Sequence, residues 1–225
     1  MCPLLAKSLD LYIGQRYYQD WRAVQAPTQF QGEGSSHELA SLLLSEVIRH
    51  KMFQDKGPIF ALFLDAKSAF DVVVRQNAIV AAYHAGTKDQ GLLYLDARMA
   101  NRQTFPQWGT TIMGPISDKL GLEQGAVNSD RLYKLCNNSQ LQEAQDSGLG
   151  IDIGSVHVAA IGQADDVVLL AESPTNLACL LHLTMNYCQR QHVTLVPEKT
   201  KLLLWSPASL KQNTDLIKLS CPIYG

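Results

Sequence analysis

Three acidic residues stand where acids are costly. Asp65 ends the apolar run Ile59-Phe60-Ala61-Leu62-Phe63-Leu64, and Asp165-Asp166 lead into Val167-Val168-Leu169-Leu170-Ala171. Carboxylates crowded beside apolar segments raise one another's pKa, and a divalent cation removes that penalty. Mg²⁺ takes hard oxygen ligands, typically one or two carboxylates completed by water and substrate phosphates. If the strand ending at Asp65 pairs with the hairpin of Asp165 and Asp166, three carboxylates converge on one sheet edge. Such a cluster suits two cations about 3.5–4 Å apart, the spacing that clamps attacking and leaving oxygens in phosphoryl transfer. An Asp-Asp turn is also ordinary turn chemistry, because Asp accepts backbone hydrogen bonds there.

The elements that must position these residues follow from pattern. Ile59–Leu64 is a continuous apolar run of strand length, as a strand buried on both faces requires. Before it, Ser35-x-x-Glu38 forms a capping box, and Leu39, Leu42, Leu43 and Val47 give a helical stripe running to Phe53. The opening stretch to about Phe30 reads as short helical or irregular structure. Helices are expected over 72–85 and 88–101, a loose hairpin over 104–116, and a helix of two or three turns from Ser129. Two short strands, 149–153 and 156–161, flank Gly154-Ser155, and a third, 167–171, follows the turn Gly162–Asp166. Pro174 opens a helix through Arg190, and strands over 193–196 and 202–205 complete the series. The order is that of a ferredoxin-like βαββαβ unit with insertions, an α+β fold.

Composition excludes several classes. The chain has 225 residues, 46% of them hydrophobic, which suits a cored globular domain rather than a disordered one. No apolar run approaches the roughly 18–20 residues that cross a bilayer, and the start lacks a secretory pattern, so no membrane partner is expected. Lysine and arginine number 19 against 21 acids, net −2. Nucleic-acid binding must therefore rest on local chemistry or on basic parts outside these residues. The five scattered cysteines include no C-x-x-C pair, which fits a reducing, intracellular setting, nuclear or cytoplasmic.

Taken in order, four segments resemble the reverse transcriptase domain of non-LTR (LINE-type) retrotransposons. Phe63–Asp71 resembles an apolar strand leading into Asp-x-x-x-Ala-Phe-Asp, and Gly121–Ser129 resembles the Gln-Gly loop before a helix. Gly162–Leu170 is similar to the Ala-Asp-Asp hairpin, and Pro197–Leu202 to a Lys-Thr-Lys motif. The resemblance implies a polymerase palm over 59–225, with a fingers-like insertion at about 86–120 and partial helical fingers over 1–58. The thumb would be absent or truncated. Asp65 and Asp165 would be the Mg²⁺ ligands, with Mn²⁺ able to substitute, Asp166 beside them and the Ala66 carbonyl adding a ligand. Phe70 matches a steric gate against the ribose 2′-hydroxyl, and Gln124 and Gly125 match the loop against nucleotide and template. Lys199 would donate a proton to the leaving pyrophosphate, with Lys201 near enough to contest that role. In an unrelated protein, Phe70 reads as a core residue and both lysines as solvated ones.

The implied activity is RNA-directed DNA synthesis. A primer 3′-hydroxyl on an RNA or DNA template attacks the α-phosphate of a deoxynucleoside triphosphate. Gln163 departs from the pattern, standing where the family carries an aromatic residue, and no arginine occurs between Arg22 and Arg49. These departures, with the early end after the fourth motif, raise the alternative of a catalytically inactive, transposon-derived palm or fragment. A metal-dependent nuclease or cyclase on a similar sheet would leave the Gln-Gly loop and the Phe70 position unexplained.

Overall fold

A computed structural model describes residues 3–30, 37–100, 103–117, 120–123 and 125–206. The described chain divides into two compact units, each built from two segments. One comprises 1–25 and 68–136; the other comprises 26–67 and 137–225.

The second unit holds the sheet. Strand β1 (Ile59–Leu64) has the bounds expected from its apolar run. Taking the two-residue strand β2 (Ala66–Lys67) and the four short strands β3–β6 in chain order, the strands after them are β7 (Ile151–Ile153), β8 (Val156–Val158), β9 (Ala160–Gln163) and β10 (Asp166–Ala171), then β11 (Thr194–Leu195) and β12 (Lys201–Trp205). The main sheet runs β12-β1-β10-β9, antiparallel throughout. Counting only those four strands, this is the order of a βαββαβ unit.

Alternation along β1 explains its unbroken hydrophobicity. Phe60, Leu62 and Leu64 join Leu169 and Ala171 of β10 on one face, packed with Leu141 and Ala144 and with Leu177 and Leu180. Ile59 and Ala61 join Ile161 and Leu170 on the other, packed with Val47. Both faces are covered, so neither set of positions can be polar. In chain order after α1, the helices are α2 (His37–His50), α3 (Arg75–His84), α4 (Asp89–Met99), α5 (Ser129–Asp146) and α6 (Pro174–Gln191). Ser173 caps α6, its hydroxyl accepting from the Asn176 amide at 3.1 Å.

In the first unit, the opening residues form one 21-residue helix, α1 (Pro3–Ala23), rather than short or irregular pieces. Its support is tertiary. Trp21 is buried and its Nε1–H donates to Thr87 Oγ1 at 2.7 Å, while Asp10 accepts from the Tyr94 hydroxyl of α4 at 2.7 Å. Long helices depend on such docking more than on propensity. The segment expected as a loose hairpin is a ribbon of two short ladders, β3 (Gln103–Thr104) with β6 (Ile116–Ser117) and β4 (Gln107–Trp108) with β5 (Thr111–Ile112).

Other boundaries moved for local reasons. Helix α2 ends at His50 and continues as a π-helical turn, Lys51–Asp55, closed by Lys56 at φ 53°. Buried Lys51 holds that turn, pairing with Asp55 at 3.1 Å and Glu172 at 2.6 Å. Helix α3 begins at Arg75, not 72, because Asp71 and Val72 are committed to a turn on Ser68. Helix α5 runs 18 residues rather than two or three turns. Gly162 and Gln163 belong to β9, not to a turn, since Gly162 is bridged on its outer side to Gln29. Ser35 of the capping box lies outside the described residues. Cys136, Cys179 and Cys188 are thiols, and burial pushes the Cys188 thiol up to about 11. Among the described residues no helix is long and apolar enough to cross a membrane.

Candidate active site

Register brings the acids together. In the antiparallel ladder of β1 with β10, Leu64 faces Val167 and Phe63 faces Val168. Asp65 directly follows the β1 end of that ladder and Asp166 directly precedes the last β10 residue in it, although the two are about a hundred positions apart in sequence. On the other side of β10, Asp166 pairs with Gln163, leaving only Ala164 and Asp165 as the hairpin turn. Ala164 takes φ 56°, the left-handed conformation that primed two-residue turns require. Asn137 of α5 steadies that turn by donating to the Ala164 carbonyl at 3.4 Å.

A cation is already part of the cluster. Lys199 Nζ lies 2.9 Å from Asp65 Oδ2, with the Asp65 side chain 26% exposed and that of Lys199 66% exposed. The Asp65 hydrogen bond and charge, with weaker pulls from Asp166 and Asp165, raise the Lys199 pKa. The Asp166 carboxyl is held above its ordinary value, first by partial removal from water and then by the charges of Asp165 and Asp65. Lys199 and His37 offset part of that shift. Asp166 and Lys199 therefore each respond to the charges around them, as charge crowding at a strand end predicts. Among the described residues no three acidic, imidazole or thiol groups form a ready metal cage. The donor set nonetheless suits Mg²⁺, which needs only one or two protein carboxylates, and an ammonium stands at Asp65 as a stand-in cation.

The segment bearing Lys199 is fixed to Asp65 through the backbone. Leu195 of β11 pairs with Ala66 of β2, and the Val196 amide donates to the Asp65 carbonyl at 2.9 Å. The amides of Lys199 and Thr200 then donate back to the Val196 carbonyl, at 3.1 and 3.0 Å. Lys201 turns away, its ammonium donating to the Glu198 carbonyl at 3.1 Å. Of the two lysines in the Lys-Thr-Lys segment, Lys199 is the one at the acids.

Beside Asp166, a cavity of about 340 Å³ opens between α2 and the sheet, lined by His37, Ser41, Phe63, Gln163, Asp166 and Val168 among others. Gln163 Oε1 is closed off from solvent with no hydrogen-bond partner among the described residues. The amide that departs from the aromatic pattern thus carries an unused acceptor in a side chain that lines a cavity.

The remaining expected site residues fall in the other compact unit. Phe70 is half-buried and stacks on Tyr133 of α5, with ring centroids 4.4 Å apart and planes at 21°. The Leu122 amide donates to the Phe70 carbonyl at 2.9 Å, and the Gly121 amide to the Val73 carbonyl at 2.8 Å. The stretch 120–123 is thereby laid along the segment that follows Asp65. Gly125 is exposed with φ 80°; Gln124 lies outside the described residues. Sequence reasoning missed Arg75. Its buried guanidinium donates to the carbonyls of Gly121 at 2.8 Å, Leu120 at 2.7 Å and Met99 at 3.1 Å. A single arginine opening a helix gave no sign of that role. Arg98, at the end of α4, likewise reaches Glu123 at 2.8 Å and Asp10 at 3.4 Å.

A four-stranded antiparallel sheet thus carries carboxylates where its two central strands end. The family model described as "Reverse transcriptase (RNA-dependent DNA polymerase)" matches residues 15–216, and the chain belongs to that family. A curated relative, the retrovirus-related Pol polyprotein from type-1 retrotransposable element R2 of Nasonia vitripennis, is 26% identical over 171 residues. That match covers 76% of this chain and 16% of the polyprotein, and it supports the non-LTR assignment. Among solved structures, telomerase from Candida tropicalis in complex with a telomeric RNA fragment superposes with TM-score 0.67 at 10% identity. It covers 85% of this chain and 33% of that one. Telomerase from Candida albicans gives TM-score 0.59 at 11% identity, covering 87% and 33%. The chain thus spans about one-sixth of its curated relative and a third of these telomerase chains.

Proposed function

We propose that this chain is the palm and part of the fingers of a retroelement reverse transcriptase, extending a primer on an RNA template with deoxynucleoside triphosphates. The observation that carries the reading is the ladder that ends with Asp65 and Asp166 at the same end of neighbouring strands, Asp165 in the adjoining turn and Lys199 against Asp65. Asp65 and Asp165 would hold Mg²⁺, with Asp166 adjacent and the Ala66 carbonyl as a further donor. The bound cations supply activation of the 3′-hydroxyl and neutralisation of charge on the α-phosphate. The chain's own groups do the rest. Lys199, the lysine at Asp65, is the candidate proton donor to the departing pyrophosphate. Phe70, braced by Tyr133, is the candidate gate against a 2′-hydroxyl, and the Gln124–Gly125 loop is the candidate rest for nucleotide and template.

Primer extension on poly(rA)·oligo(dT) with Mg²⁺ or Mn²⁺ tests the reading. Extension that disappears in Asp165→Asn and in Asp65→Asn supports it. Absence of extension at high protein concentration, joined to absence of any cation-dependent thermal shift, favours the catalytically inactive module.

A further inference from the structure

We infer that Lys199 is the resident counterion of the Asp65, Asp165 and Asp166 cluster and competes with the divalent cation for Asp65, so that this one side chain sets the cation affinity of the nucleotide-free site. The inference rests on the proposed cation site and adds a role to Lys199 distinct from proton donation.

Three observations support it. The Lys199 ammonium lies 2.9 Å from Asp65 Oδ2, the distance of a charge-assisted contact. A divalent ion on the same carboxylate is repelled by an ammonium so near, so the two cations compete for Asp65. The backbone of the lysine cannot drift off, because the Val196 amide is bonded to the Asp65 carbonyl and Lys199 is bonded back to Val196. The side chain, however, is 66% exposed and free to swing into water without disturbing the core. Charge is therefore partly offset in the cation-free protein, and cation binding would free a tethered ammonium at the edge of the site.

Mn²⁺ titration of the whole chain without nucleotide, followed by electron paramagnetic resonance of the free ion, tests this independently of activity. Lys199→Met should bind Mn²⁺ roughly 1.5- to fivefold more tightly, the effect of removing one exposed charged competitor. Lys201→Met, whose ammonium rests on the Glu198 carbonyl, should leave the affinity unchanged. In an Asp65→Asn background, Lys199→Met should add little, since the two residues act as one pair. Equal or weaker Mn²⁺ binding by folded Lys199→Met, with native binding that Asp165→Asn abolishes, overturns the inference and leaves the cation site standing. No saturable binding in either protein overturns both.

Discussion

Gly121→Ala is expected to be among the most damaging single-atom additions in the first unit, and its cost can be divided into two parts. Gly121 has φ 83°, where an L side chain is strained by about 1–2 kcal/mol. A Cβ there would also stand 2.8 Å from the Asp71 carbonyl oxygen and 3.0 Å from the Asp71 Cα. Those are backbone atoms that cannot rotate aside, so overpacking adds about 1–3 kcal/mol. Gly125, four residues on, has nearly the same backbone angle, φ 80°, and no described atom lies within 4 Å of where a Cβ would stand. Gly125→Ala therefore carries the strain alone, and the entropy lost from the unfolded chain is common to both substitutions. With about 2–4 °C per kcal/mol for a chain of this size, Gly121→Ala should melt about 2–12 °C below Gly125→Ala. Thermal unfolding followed by circular dichroism reads the difference. Should Gly121→Ala melt at or above Gly125→Ala, the close docking of the 120–123 stretch on Asp71 is wrong.

Other expectations are simpler. Arg75→Met removes three donors from the carbonyls of Leu120, Gly121 and Met99, a loss of about 3 kcal/mol or more; amide hydrogen exchange at 120–123 should accelerate more than in the strands of the main sheet. Ser173→Ala should cost about 1 kcal/mol by uncapping α6, visible as a drop of about 2–4 °C in Tm. Asp166 is held above its ordinary pKa, so the folded chain keeps a proton that the unfolded chain has lost. Stability from this group therefore falls as pH rises from the ordinary carboxylate range through the raised value. In EDTA, Asp166→Asn should thus stabilise the protein at pH 7, by at most about 1 kcal/mol for so exposed a group, and the gain should fade in acid. An unchanged gain at low pH would refute the charge-crowding account.

What was readable in the chain and what was not divides along physical lines. The strand Ile59–Leu64 came out with its bounds intact because a strand covered on both faces has no polar position to hide. Helix α6 was equally plain, since Ser173 and Pro174 mark its start by local chemistry. The motif acids were visible as types at strand ends. Which strand lies beside which was only an expectation until the Leu64–Val167 register set it, because pairing between distant strands is a tertiary event. Helix α1 is held by Trp21 on Thr87 and Asp10 on Tyr94, contacts spanning 66 and 84 positions that no local window contains.

Individual side chains in each unit make the same point. Lys199 and Lys201 are indistinguishable in sequence, and only the tether from Val196 to Asp65 turns one toward the acids and leaves the other on Glu198. Arg75 reads as one basic residue at a helix start, yet burial makes it the donor for three carbonyls around a loop 45 positions away. Residue type and spacing set which groups are present and which segments are apolar. The directions in which those groups point, and hence which charges must balance one another, follow from strand register and loop docking, where the favourable energy comes from contacts between residues far apart in the chain.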